Sequence, residues 1–418
     1  MIDTIGYVTR LLARYWPIPI VVLVAALLIA LLVSPQRFAT PRGLQLGALT
    51  ACAIALLALA APTWRALYSS ISALNPAAPV TPTGPHHAHS ETIVLDGERP
   101  ITAQIWLPAD TAHSAADLPR ACADTLATVR LPAAISYAPI LLYVPGWGGA
   151  RDENAHTAEA FARQGYIVVA IDDIAHDTPY ARAEDEAARR GDIDMSSAGM
   201  AARTQALVSE RLELEVAKAR ATLDRLSRCF AQHADESVRT RVQFDVVGFW
   251  GFSLGGVVGA ELATRDPRIT AVVNLDGGLL GSAATDGVTT PYLAISSDFD
   301  PLSDRQIRSR YVEDFRLLHR NIALDLAQAR RSNSTLILVN GATHNAFTDT
   351  YATARSRFWF LLAPNRAQDI KFAYMLSFFN AHLRGVDDGL TRADPSPYGE
   401  VIKLNEIAAR AARSATAP

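Results

Sequence analysis

The residues of this chain best suited to chemistry are a glycine-framed serine, a downstream histidine in a loop, and aspartates that end apolar runs. Gly251-Phe252-Ser253-Leu254-Gly255 is a G-x-S-x-G pentapeptide. A serine hydroxyl is a poor nucleophile at neutral pH, so it needs a base to take its proton and a carboxylate to hold that base in the right tautomer. Downstream of Ser253 the histidines are His319, His344 and His382. His319 sits in the charged stretch RLLHRN and His382 in an amphipathic helical pattern, where a surface imidazole is the ordinary reading. His344 follows the apolar run Thr335–Val339 in the loop NGATHNAF, so it is the expected base. Two acids compete: Asp276 ends ITAVVNL, and Asp300, with Asp298 beside it, follows YLAISS. Spacing does not separate them. An acyl-transfer site also needs two N–H donors for the developing oxyanion. Leu254, directly after the serine, would supply one, and the backbone of Trp147, within Pro145-Gly146-Trp147-Gly148-Gly149, the other.

Such a serine works only at the apex of a sharp strand–turn–helix connection, where glycines leave room beside it. The sequence provides that setting. Phe244–Trp250 reads as a strand and Leu254–Ala263 as an apolar helix rich in small residues. Upstream, Glu91–Leu95, Ile101–Leu107, Ile140–Val144 and Tyr166–Ile171 read as strands, with a helix from about Asn154 to Gln164 that stops at Gly165. Asp110–Ile135 is irregular, Ala175–Gly199 is a charged stretch with the character of a lid or insertion, and Ala201–Cys229 is a long amphipathic helix. Further strands are expected at Ile269–Leu275, Tyr292–Ser296 and Thr335–Val339, and a last helix over KFAYMLSFFNAHLRG. Apolar strands alternating with helices imply a mainly parallel sheet covered on both faces. Loops at the carboxyl ends of such strands are where reactive groups gather.

The front of the chain has a different texture. Ile18–Val33 and Leu44–Ala61 carry no charged residue and are each close to the length needed to cross a hydrocarbon core of ~30 Å. Tyr15, Trp16, Trp64 and Tyr68 flank them as interfacial anchors would. Residues 1–74 are therefore expected to form a membrane anchor of two helices, at about 16–33 and 44–62, rather than a cleaved leader. Arginines on either side of the spans are too even to orient the hairpin. Residues 75–90, NPAAPVTPTGPHHAHS, read as a Pro-rich linker whose three histidines lack companion ligands for a metal, and 91–418 as the catalytic domain. With 39 basic and 42 acidic residues, nothing points to nucleic acid as a partner. Cys122 and Cys229 are either a disulfide in an oxidising compartment or two separate thiols.

The segments YVPGWGG, GYIVVAIDD, GFWGFSLGGVVGAEL, AVVNLDGGLLG, PYLAISSD and VNGATHNAFTD, spanning roughly Glu91 to Gly385, resemble the platelet-activating-factor acetylhydrolase family and its dienelactone-hydrolase-like relatives. The resemblance implies an α/β-hydrolase fold behind the membrane hairpin. It also implies that the aspartate of NLDGG, Asp276, serves as triad acid in preference to Asp300. Ser253 and His344 carry over as nucleophile and base, and Trp147 and Leu254 as oxyanion donors. Phe252 departs from the family, in which histidine is frequent before the nucleophile.

The expectation is a serine carboxylic-ester hydrolase that works through an acyl-enzyme and needs no metal or organic cofactor. The resemblance implies small-molecule or lipid esters with a short acyl chain as substrates. A broader esterase of dienelactone or polyester type, or a peptidase, is the rival within enzymes. A catalytically idle, membrane-bound interaction protein is the rival outside them. Localisation is expected at a membrane, with the side left open.

Overall fold

The computed structural model describes residues 83–111, 118–176, 197–297, 312–349, 362 and 364–415. The chain divides into two units, Met1–Ala77 with Arg355–Leu362, and Ala78–Ala354 with Ala363–Pro418. The expected membrane hairpin, the first part of the linker, most of the charged stretch after Ala175, and both Asp298 and Asp300 lie outside the described residues. Among the described residues no helix is long and apolar enough to cross a membrane.

Short runs of β-branched and aliphatic residues, too brief for helices and bounded by turn residues, fold as strands buried on both faces. Together with less buried strands at the flanks they make a sheet of ten strands among the described residues: β1 (His87–Leu95), β2 (Ile101–Ala109), β3 (Arg120–Ala121), β4 (Ile140–Val144), β5 (Ile167–Ile171), β6 (Val247–Phe252), β7 (Ile269–Leu275), β8 (Tyr292–Ser297), β9 (Ser334–Val339) and β10 (Val401–Lys403). Their order is β10-β9-β8-β7-β6-β4-β5-β2-β1-β3. The block from β5 to β9 is parallel throughout, and β1, β2 and β10 add antiparallel pairings at its flanks. Every residue of β4, β5 and β6 is buried. This is the α/β-hydrolase type of sheet expected from the sequence.

The larger helices are α1 (Cys122–Thr128), α2 (Ala155–Arg163), α3 (Ala198–His233), α4 (Leu254–Arg265), α5 (Val312–Gln328), α6 (Pro364–Arg384) and α7 (Leu404–Ala415). Serine caps α3 as its composition suggests, with Ser197 Oγ accepting from Met200 N–H. The apolar face of α6 packs closely on the sheet beside Gly248. A Cβ there would lie 2.5 Å from Leu141, 2.8 Å from Leu383 and 2.9 Å from Phe379, so any side chain at Gly248 would have to displace the ends of these three.

Two expectations change. His87–Ser90 are not linker: they open β1, because His87 through Ser90 pair with Ala109 through Trp106 and strand pairing uses the backbone whatever the side chains are. His89 of the histidine cluster stands 3.2 Å from Glu91 rather than in solvent alone. The stretch Asp110–Ile135 is not wholly irregular either, since it holds β3 and α1. Cys122, the first residue of α1, forms a disulfide with Cys229 of α3 across 107 residues of sequence. Among the described residues no group of three or more His, Cys, Asp or Glu could hold a metal ion.

Candidate active site

Ser253 stands between β6 and α4 with φ 51° and ψ −117°, a left-handed backbone that a residue with a side chain adopts only under constraint. The constraint is steric. A Cβ on Gly251 would sit 2.2 Å from the backbone of Gly255, and one on Gly255 would sit 2.0 Å from the Val144 carbonyl. The two glycines thus allow α4 to start immediately after the strand and press against β4. Ser253 N–H donates to the Leu275 carbonyl at 2.8 Å, which pins the turn to β7. Leu254 is the first residue of α4, so its N–H has no acceptor within the helix and lies at the positive end of the helix dipole.

The adjacent strand supplies the carboxylate. Asp276, just past β7, also has positive φ, 55°. Its N–H donates to the Ile295 carbonyl at 2.9 Å, and its Oδ1 accepts the Ser297 N–H at 2.7 Å. The remaining oxygen, Oδ2, meets His344 Nδ1 at 2.6 Å. The NLDGG sequence explains why the turn holds. Asn274 Oδ1 accepts the Gly277 N–H at 2.8 Å, and Asn274 Nδ2 donates to Tyr292 Oη at 2.8 Å. Any side chain at Gly277 would strike the Ser253 carbonyl, 2.3 Å from its Cβ position. Behind this turn, burial and then the charge of Asp276 push the Asp325 carboxyl up to about 7.

His344 opens a short 3-10 turn, His344–Phe347, after β9. Its side chain is 48% exposed while that of Asp276 is 13% exposed, so the imidazole faces the outside and the acid is sheltered behind it. The imidazole ring lies 4.7 Å from the ring of Phe252, centroid to centroid, at 37°. His344 is thereby beside the turn that carries Ser253. A proton held on Nδ1 by Asp276 leaves Nε2 as the basic nitrogen.

The loop after β4 closes the site. Gly148 has φ 69°, and Gly149 N–H donates to the Gly146 carbonyl at 2.9 Å, a tight turn that orients the peptide groups around Trp147. Arg211 of α3 lies over the Trp147 indole, 5.0 Å from its centre, and Arg211 is itself buried against Asp173. His176 Nε2 is 2.8 Å from the Gly148 carbonyl. The loop is therefore braced from two sides.

Of the sequence-derived candidates, the structure brings His344 and Asp276 into contact and packs the His344 ring on Phe252, the residue before Ser253. Trp147 lies on the loop after β4, and Leu254 begins α4 directly after Ser253. His319 and His382 are exposed elsewhere. Sequence reasoning missed a polar group beneath these loops. Glu153, Asn154 and Lys371 carry no motif, and only a charged residue, Lys371, inside an otherwise amphipathic helix hinted at it.

Residues 127–381 match the model of the dienelactone hydrolase family. No curated protein matches the chain. Among solved structures, a ferulic acid esterase from Streptomyces cinnamoneus is similar in fold, with a TM-score of 0.50 and 18% identity over 78% of this chain and 98% of that one. The family match covers more than half of the 418 residues, and the chain belongs to the dienelactone hydrolase family of α/β-hydrolase enzymes.

Proposed function

We propose that the protein is a serine carboxylic-ester hydrolase that works through an acyl-enzyme on Ser253. The observation that carries this reading is the 2.6 Å contact of His344 with Asp276 beside a serine held at positive φ between strand and helix. His344 Nε2 takes the Ser253 proton as Oγ attacks the ester carbonyl, and the carbonyl oxygen becomes an oxyanion that the Trp147 and Leu254 N–H groups stabilise. Asp276 fixes the imidazole tautomer and offsets the charge of the imidazolium. The intermediate collapses as the imidazolium gives its proton to the departing alkoxide, which leaves as alcohol. Water, deprotonated by His344, then attacks the acyl-enzyme and releases the acid and Ser253. A single oxyanion donor is worth ~10²–10³ in rate.

The substrate reading is a lipid-type ester with a short acyl chain, on the strength of the sequence resemblance. The family match favours a second reading, a broader esterase of dienelactone type. Residues 1–74 serve as a membrane anchor in this proposal. The paired Cys122 and Cys229 support placing the catalytic unit on an oxidising side of that membrane.

Labelling of the full chain with a fluorophosphonate tests the central claim. Wild type should label, and Ser253→Ala should neither label nor turn over nitrophenyl esters while keeping its circular dichroism. Activity retained by Ser253→Ala overturns the serine mechanism. In a series of acyl lengths, a sharp fall beyond short chains supports the lipid-type reading, and a flat profile the broader one.

A further inference from the structure

A set of buried polar groups beneath the site takes no part in the reaction written above. Gly146 N–H, in the loop that carries Trp147, donates to Glu153 Oε2 at 3.1 Å, and Tyr143 Oη donates to the same oxygen at 2.8 Å. Tyr143 Oη in turn accepts from Asn154 Nδ2 at 2.9 Å. Asn154 Oδ1 accepts from Lys371 Nζ, also at 2.9 Å. Lys371 is fully buried. It donates to the Phe347 carbonyl at 3.2 Å and stands 3.8 Å from Asp349 Oδ1. Phe347 ends the turn that begins with His344. That turn is held again by Gln368, whose Nε2 donates to the carbonyls of Ala346 and Thr348 at 2.8 Å each. The circuit closes through the backbone, because Asp349 N–H donates to the Glu153 carbonyl at 3.2 Å. Two catalytic loops from distant parts of the sequence are thus joined by one hydrogen-bonded chain, with Glu153 at its oxyanion end.

We propose that Glu153 is a positioning residue for the reaction: it fixes the oxyanion loop through the Gly146 N–H and sets a second negative charge close to the His344 imidazole. A burial-raised carboxyl here is kept from rising further by the Gly146 and Tyr143 hydrogen bonds and by the charges of His344 and Lys371. The attraction is mutual: a carboxylate that gains from an imidazolium also stabilises it. Glu153 is bonded by Tyr143 of β4 and by Gly146, whose Cβ position would lie 3.0 Å from the Phe252 ring. That ring in turn packs on the His344 imidazole at 4.7 Å, while Lys371 of α6, with Asp349 beside it, is reached through Tyr143 and Asn154. Asp276 is the other acid at the imidazole. In each acyl-transfer step an imidazolium forms transiently, so the extra charge acts where the barrier lies, without touching bound substrate.

The proposal rests on the serine-hydrolase reading, and the experiment keeps the two apart. Wild type, Ser253→Ala, Glu153→Gln and Glu153→Ala are compared on nitrophenyl acetate as full chains, with kcat, KM and the pH profile of kcat/KM measured for each. Glutamine keeps an acceptor for Gly146 N–H and removes the charge. Glu153→Gln should lower kcat by about tenfold, leave KM within about twofold, and move the acid limb of the profile to lower pH, because the imidazolium has lost a stabilising charge. Glu153→Ala, which also frees the loop, should lose more kcat again. If it does not fold, Glu153→Gln decides alone. An acid limb and kcat identical to wild type in Glu153→Gln overturn the proposal, even where thermal stability drops, since a purely structural carboxylate would give that result. Activity in Ser253→Ala would instead overturn the serine mechanism and leave the role of Glu153 without a reaction to serve.

Discussion

At the scale of single residues, the balance of the site turns on what each oxygen of Asp276 touches. One accepts a backbone N–H from Ser297 at the end of β8, and the other accepts from His344. The first contact aims the second, so the carboxylate has little freedom to pair elsewhere. Replacing it by an amide keeps the shape but turns one acceptor into a donor. If the nitrogen faces His344, the imidazole must offer its lone pair on Nδ1 and carry its proton on Nε2, the wrong nitrogen for a base. Asp276→Asn is therefore expected to cost on the order of 10³–10⁴ in kcat with a small change in KM. Asp300→Asn should fall within a few fold of wild type. Steady-state kinetics of the two variants on one ester checks this, and near-equal losses or the reverse order would remove Asp276 from the role of acid.

At the scale of elements, the decisive feature is the way α4 begins. The helix starts directly at the strand end because two glycines let backbone meet backbone. Gly255→Ala pushes a methyl group into the Val144 carbonyl, 2.0 Å from the ideal Cβ position, and backbone cannot swing aside as a flexible side chain would. We expect a loss of about 1–3 kcal/mol in denaturant unfolding together with slower fluorophosphonate labelling, because the shifted helix start turns the Leu254 N–H away from the position of the developing oxyanion. Wild-type stability and labelling in this variant would show that the turn has room for a side chain at position 255. Elements of this kind were the legible part of the sequence. Continuous apolar runs such as ILLYV and YIVVAI, with glycine punctuation after them, reveal buried parallel strands, and the turn at Ser253 follows from the glycine spacing. Less was visible where backbone pairing or tertiary burial outweighs composition. His87–Ser90 look like linker and become strand because β2 offers them partners. Val312–Gln328 and Leu404–Ala415 are helices hidden among charged and alanine-rich sequence. The Glu153–Asn154–Lys371 chain was invisible for another reason: Lys371 is 217 residues from Asn154, and no local spacing records a contact made only by folding.

For the catalytic unit as a whole, the long-range tie between Cys122 and Cys229 links the β1–β3 edge of the sheet to the C-terminal end of α3. Helix α1 packs against α3 there, with Cys122, Leu126, Leu223 and Leu226 all buried in the same apolar core. A crosslink across 107 residues removes a large closed loop from the unfolded ensemble, which by chain entropy corresponds to about 4–5 kcal/mol. The segment that it anchors is short, and α1 is only seven residues long; besides its apolar contacts it is held by Thr125 Oγ1, which donates to Glu91 Oε2 at 2.7 Å, and by Arg120, 3.0 Å from Glu91 Oε1. The double replacement Cys122→Ser, Cys229→Ser should then lower unfolding free energy by about 2–5 kcal/mol. Reductant should lower wild-type stability and leave the double variant unchanged. The same pair reports on the compartment, since a disulfide persists only where thiols are not kept reduced. Acid quenching of cells followed by thiol alkylation should find both cysteines unreactive until a reductant is added. Alkylation of both without reductant would place the catalytic unit in a reducing compartment, and would leave the β1–β3 edge to its apolar contacts and to the bonds of Arg120 and Thr125 with Glu91.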